Sequence, residues 1–218
     1  MSISYLLSYV DNDDNNLDRI GGLPSHLPLA WPNCMCCRSP LSFIAQLYHP
    51  LLFDYPEGKN QMGLQLYTCV ECHQNIKDMY GNLLTYILPD SASPNSSMLG
   101  IESQNQKIKF VCYEEVADPV GQWEYLKFDD EEMYTLADKY GHLNKDKIGG
   151  LFICDDEGMP EITPENLLIA QIHIESIDAT VYIYRSSIYG LYAFPYISYS
   201  DISDDLFGVP VVLKKASQ

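Results

Sequence analysis

Asp18-Arg-Ile-Gly-Gly-Leu23 recurs as Asp146-Lys-Ile-Gly-Gly-Leu151, and this recurrence sets how the whole chain is read. In each copy an acidic residue, a basic residue and an isoleucine lead into paired glycines. Such a pair marks a positive-φ turn or a close backbone approach, because glycine has no Cβ to forbid either. Downstream, Phe43-Ile-Ala-Gln-Leu-Tyr-His49 recurs as Leu168-Ile-Ala-Gln-Ile-His173. The same two blocks in the same order imply a duplication with a period of about 125 residues.

Working outward, Leu41–Tyr48 alternates as a strand, with Phe43, Ala45 and Leu47 on one face and Ile44, Gln46 and Tyr48 on the other. Gln46 and Gln171 are expected to satisfy backbone groups inside the sheet. Gly63–Thr68, Ile108–Tyr113, Trp123–Phe128, Val181–Tyr184 and Tyr189–Phe194 also read as strands, and Val209–Leu213 as a last one at an edge. Residues 129–141 read as a helix. Asp129, Asp130, Glu131 and Glu132 stand at its positive end, Met133, Leu136, Ala137 and Tyr140 form its apolar stripe, and Gly141 ends it. Ser91 to Gln106 is rich in Ser, Asn, Gln and Pro and reads as a linker. The expected organisation is a first repeat over 1–90, a linker over 91–107 and a second repeat over 108–218, packed as one globular unit.

The first repeat carries two cysteine steps, Cys34-Met-Cys36-Cys37 and Cys69-Val-Glu-Cys72, separated by 31 residues. Cys34, Cys37, Cys69 and Cys72 can close a tetrahedral site around one zinc ion, and four thiolates leave no position open for water or substrate. The zinc is therefore expected to be structural, one per chain, on a zinc-ribbon-like hairpin. Cys36, His49 and His73 stay open as alternative ligands, and Cys112 and Cys154 read as small core residues. The second copy has no cysteine pair. Thr163-Pro-Glu-Asn166, with Thr163 as a cap, stands where the first knuckle would be.

Thirty acidic residues against thirteen basic ones give a formal net charge of −17. That charge argues against nucleic acid as a partner and for a basic protein. The densest acidic runs, Asp129–Glu132, Asp155-Asp156-Glu157 and Asp201 with Asp204-Asp205, are the candidate contact surface. The opening residues lack a basic, apolar export signal, and no long apolar run reads as a membrane span. With seven cysteines and no such signal, a reducing cytoplasm with metal-bound thiols is expected. The Gly-Gly pairs lack the remaining residues of a phosphate loop, and no serine or cysteine lies in a nucleophile motif. His26 and His142 are expected in exposed loops and His173 in a strand.

Asp18-Arg-Ile-Gly-Gly-Leu-Pro24, Trp31-Pro32, the cysteine knuckle and Pro40-Leu-Ser-Phe-Ile-Ala-Gln-Leu47 together resemble the YwqG-like family of bacterial proteins. Ile148-Gly-Gly150 and Leu167-Leu-Ile-Ala-Gln-Ile172 resemble its second-half elements. The first half is also similar to the programmed-cell-death-2 family, whose members are dedicated chaperones of a ribosomal protein. The resemblance implies an α+β, strand-rich, duplicated fold. It also implies a cytoplasmic immunity protein, as in a toxin–antitoxin pair; with the closed zinc site and the acidic charge, the expectation is a non-enzymatic module that neutralises a basic toxin or effector. A chaperone of a basic client is the second expectation and a hydrolase the third.

Overall fold

The structure, a computed structural model, describes residues 2–11, 16–28, 30–54, 61–69, 84–89, 107–121, 127–152, 162–175, 179–188 and 190–196. Ten strands are described: β1 (Ile3–Val10), β2 (Arg19–Ile20), β3 (Ser42–Leu47), β4 (Gln61–Thr68), β5 (Leu84–Pro89), β6 (Lys109–Ala117), β7 (Lys147–Ile148), β8 (Asn166–Ile174), β9 (Ala179–Ser186) and β10 (Gly190–Tyr196). Among the described residues the one α-helix is α1 (Asp130–Lys139), with short 3-10 turns at Pro50–Phe53 and Gly141–Asn144. The strands form a single antiparallel sheet in the order β10-β9-β8-β7-β1-β6-β2-β3-β4-β5. Its end strands β5 and β10 approach each other, so the sheet curls almost into a closed barrel. The α+β expectation is therefore corrected: the fold is strand-dominated and barrel-like. The one clear helical stripe in the sequence is a peripheral element, not a layer.

The strand order is palindromic about the central β1–β6 pair. There Leu7 faces Tyr113 and Tyr9 faces Val111, with Ser8 opposite Cys112 between them. A pseudo-two-fold axis through that last pair relates β1, β2, β3, β4 and β5 to β6, β7, β8, β9 and β10. The halves exchange their first strands: β1 pairs with β7 and β6 with β2. The segment Ile3–Val10, read above only for the absence of an export signal, is thus a central strand.

The recurring motif takes the same conformation twice. Arg19 and Ile20 pair with Gln46 and Ala45, and Lys147 and Ile148 pair with Gln171 and Ala170. Gly21, Gly22, Gly149 and Gly150 all have φ between 69° and 78°. β3 is bulged between Phe43 and Ala45, and β8 between Leu168 and Ala170. A bulge frees a carbonyl from the ladder, and a freed carbonyl needs another donor. The first glycine supplies it: Gly21 N–H donates to Ile44 O at 2.7 Å and Gly149 N–H to Ile169 O at 2.8 Å. Glycine pair and bulge are one device, which is why they recur together.

The bulge also corrects the expected faces of β3. Ile44, Ala45 and Leu47 all enter the central core, whereas Phe43 lies in a cluster on the other side. The extra residue breaks the two-residue period, so Phe43 no longer shares a face with Ala45. The central core unites both halves, with Leu64, Leu66 and Val111 packing beside Ile172, Val181 and Ile183. Gln46 Nε2 donates to Leu17 O at 2.9 Å and Gln171 Nε2 to Lys145 O at 3.1 Å, so both glutamines satisfy backbone carbonyls as expected.

The helix stripe docks as expected, with Met133, Leu136 and Tyr140 packed against Leu143 and Leu151. Thr163 caps no helix. It exchanges backbone hydrogen bonds with Asn166 in a turn that opens β8, because the residues that follow pair into the sheet. Lys127 and Phe128 lie in a turn and a bend before α1, and the rest of the expected strand from Trp123 lies outside the described residues. The linker, except Lys107, and Val209–Leu213 also lie outside them.

Candidate metal centre

The knuckle is built before β3 begins. Asn33 and Pro40 bridge, Cys34 N–H donates to Ser39 O at 2.8 Å, and Arg38 N–H returns to Cys34 O at 3.0 Å. Arg38 reverses the chain with φ 68°, and it is the non-glycine residue that adopts the left-handed region among those described. Antiparallel pairing then does the rest. Ser42, at the start of β3, faces Thr68, at the end of β4, so the residue after β4, Cys69, arrives beside the knuckle.

The sulfur atoms of Cys34, Cys37 and Cys69 all lie within 4.8 Å of one another, with Cys37 and Cys69 at 3.4 Å. Four thiolates about 2.3 Å from a zinc ion stand about 3.8 Å apart, so these three fit a metal's edge lengths. Cys34 and Cys69 are buried, against Leu41, Phe43 and Tyr67, while Cys37 is exposed. Trp31 packs edge-on to Tyr67 and donates its indole N–H to Leu41 O at 2.8 Å, closing the apolar side. Backbone and side-chain hydrogen bonds from Ser39 draw the Cys37 thiol down to about 7, in the direction a metal ligand needs.

Three of the four expected ligands are thus brought together, and Cys72 and His73 lie outside the described residues. Cys36 is exposed and stands outside the cluster. His49 is engaged elsewhere, accepting from Leu51 N–H at 3.4 Å and lying between the Tyr5 and Tyr113 rings. The hairpin that carries the site is not a free-standing zinc ribbon, because β3 and β4 are inner strands of the ten-stranded sheet.

Among the described residues, the second half covers the equivalent face with aromatic and aliphatic side chains. Leu168 and Tyr184 stand where Phe43 and Tyr67 stand in the first, and Phe152, Tyr182 and Tyr192 pack over them. Tyr184 and Tyr192 stack with ring centroids 5.3 Å apart. Aromatic area does for one hairpin what the thiol cluster does for the other.

A buried polar chain runs from the centre along the same face. Tyr67 Oη donates to Gln65 Oε1 at 2.8 Å, and Gln65 Nε2 donates to Gln46 Oε1 and His26 O, each at 2.7 Å. Gln46 donates to Ser25 Oγ at 2.5 Å, and Tyr48 Oη lies 2.5 Å from His26 Nδ1. Burial pushes the Tyr48 phenol up to about 12 and, with Arg19 nearby, holds His26 below its ordinary value. Tyr48 therefore keeps its phenol proton and His26 is neutral. His26 is half-buried and ties its loop to the sheet, so its expected exposure is corrected. Sequence spacing gave no signal for this, because the group converges only once β2, β3 and β4 are paired.

His142 is likewise not an open loop residue: its Nε2 lies 3.2 Å from the buried Asp118, which also accepts from Ser2, Ser4 and Leu151 N–H. His173 lies in β8 and its N–H donates to Asp146 at 2.8 Å. Cys112 is half-buried at the pseudo-axis, and Cys154 is outside the described residues. Of the acidic candidates, Asp129 caps α1 and Glu131 is exposed on its first turn, where Asp130 also stands. Asp155, Asp156, Glu157, Asp201, Asp204 and Asp205 lie outside the described residues. No helix among them is long and apolar enough to cross a membrane. The sequence matches no protein-family model and no curated protein.

Proposed function

We propose that this protein is a non-enzymatic, acidic binding module, stapled by one structural zinc ion, that captures a basic protein partner. The observation that carries the staple is the convergence of Cys34, Cys37 and Cys69, two of them buried among aromatic side chains. Cys72 completes the set by its Cys-x-x-Cys spacing from Cys69. A site of four thiolates holds a fold and offers no position for substrate. The net charge of −17 supports a partner rich in lysine and arginine, drawn in by long-range attraction.

In this reading the chain stands with the YwqG-like proteins, as its Gly-Gly and Ala-Gln blocks suggest. It is a cytoplasmic immunity protein whose partner is a toxin or effector, neutralised by occlusion. Metal analysis of purified protein tests the staple: about one zinc per chain is expected, and a folded, metal-free protein overturns it. Co-expression with any toxin encoded beside its gene tests the partner. Relief of toxicity, with a complex that weakens as salt rises, is expected. Failure to relieve any adjacent toxin, with co-purification of a ribosomal protein instead, favours the chaperone reading.

A further inference from the structure

The three clustered thiols differ in a way that metal binding alone does not require. Cys34 and Cys69 are buried, whereas Cys37 is exposed at the mouth of the cluster. Cys37 Sγ stands 3.4 Å from Cys69 Sγ, which lies 32 positions along the chain and outside its own knuckle. A disulfide needs its sulfurs to close to about 2.05 Å, and Cys37, the exposed member of the pair, is the side chain with room to move. Cys36 is equally exposed, yet it stands outside the cluster and has no second sulfur beside it among the described residues. An oxidant reaching this loop therefore meets two accessible thiols, of which one has a resolving partner.

We propose that Cys37 and Cys69 form a peroxide-responsive thiol pair that locks the knuckle to the end of β4. Cys37 thiolate attacks the terminal oxygen of a hydroperoxide, the O–O bond breaks, and the alcohol or water leaves with a proton. Cys37 is now a sulfenic acid. Cys69 thiolate attacks the Cys37 sulfur, the S–S bond forms, and hydroxide leaves and is protonated to water. Two thiols have lost two electrons and the hydroperoxide has gained them. The consequence for the metal rests on the zinc reading: an ion held there loses two ligands at once and is released. Because the 3.4 Å contact joins opposite arms of the β3–β4 hairpin, the oxidised protein keeps a covalent staple where the metal staple is lost.

The test uses the full-length protein, both as purified and after metal removal, treated with a small excess of hydrogen peroxide. Peptide mapping by mass spectrometry is expected to find the Cys37 peptide linked to the Cys69 peptide in both samples. Zinc release, read with a chromogenic chelator, is expected to follow the disulfide in the first sample. In Cys69→Ser the linked peptide is lost, and a sulfenic acid at Cys37 becomes trappable with a dimedone reagent. In Cys36→Ser the linkage forms unchanged. A Cys34–Cys37 linkage, or oxidation confined to Cys36, overturns the proposal. If Cys69→Ser does not fold, the wild-type mapping still decides. Failure of the zinc reading shows separately, as an absence of metal in a protein that still forms the Cys37–Cys69 linkage.

Discussion

At the residue scale, the four glycines of the repeated motif are not equivalent. A Cβ on Gly150 would stand 2.0 Å from Ser4 Oγ and 2.3 Å from Asp118 Oδ2, both held in a buried hydrogen-bond network. A Cβ on Gly22 would stand 2.3 Å from Ile108 Cγ1 and 2.8 Å from its Cδ1, on an exposed side chain that can turn toward solvent. Gly150→Ala is expected to lose roughly 2–5 kcal/mol, from left-handed strain plus overpacking, and Gly22→Ala about 1–2 kcal/mol from strain alone. Urea denaturation of the two variants checks the ordering, and equal losses would contradict it. The sequence showed that glycine was needed at both places, but the crowding arises from β1 and from the turn after β6, which lie far away in the chain.

Tyrosines of the exchanged strands support the same motif. Tyr9 donates to Asp146 and Tyr113 stands beside Asp18, and burial pushes both phenols above their ordinary value. Such a raised value gives stability that is whole below the unfolded-chain value near pH 10 and is lost as pH rises through the folded value. The denaturation midpoint is therefore expected to fall from about pH 10 upward, with a shallower fall in Tyr9→Phe. Tyrosinate absorbance should then rise together with unfolding for these residues; ionisation of Tyr9 in the intact fold would contradict this.

At the element scale, α1 was the most legible part of the chain. Its cap is local: Asp129 accepts from Glu132 N–H at 2.9 Å, and Glu132 reaches back to Asp129 N–H at 3.2 Å. Asp129→Ala should cost about 1 kcal/mol in thermal or chemical denaturation, with Asp129→Ser close to wild type. An effect of that size assigns Asp129 to the fold, and leaves Glu131 as the better test of partner contact. The strands were less legible. Bulges at Ile44 and Ile169 defeat a strict two-residue period, and β2 and β7 are too short to carry any period.

At the scale of the whole molecule, a duplicated sheet is closed over its outer faces by two different means. The first half uses the cysteine cluster with Trp31, Phe43 and Tyr67, and the second uses Phe152, Leu168 and stacked tyrosines. Chelation of a bound metal should therefore act on one half. Hydrogen exchange is expected to lose protection in β3 and β4 first, while β8 and β9 remain protected. Uniform loss across both halves would show that the core they share transmits the change.

The sequence by itself determined the repeated Gly-Gly and Ala-Gln units, the helix with its cap, and the knuckle cysteines. These depend on left-handed backbone, capping and spacing within a few residues of one another. Only the tertiary structure decided that the fold is one curled antiparallel sheet, not α+β. It alone placed β1 and β6 in each other's halves and brought Cys69 to Cys37 through the β3–β4 register. The physical reason is that hydrogen-bonding partners across long connections are chosen by which pairing buries the most apolar surface for the whole chain. No local stretch contains that sum.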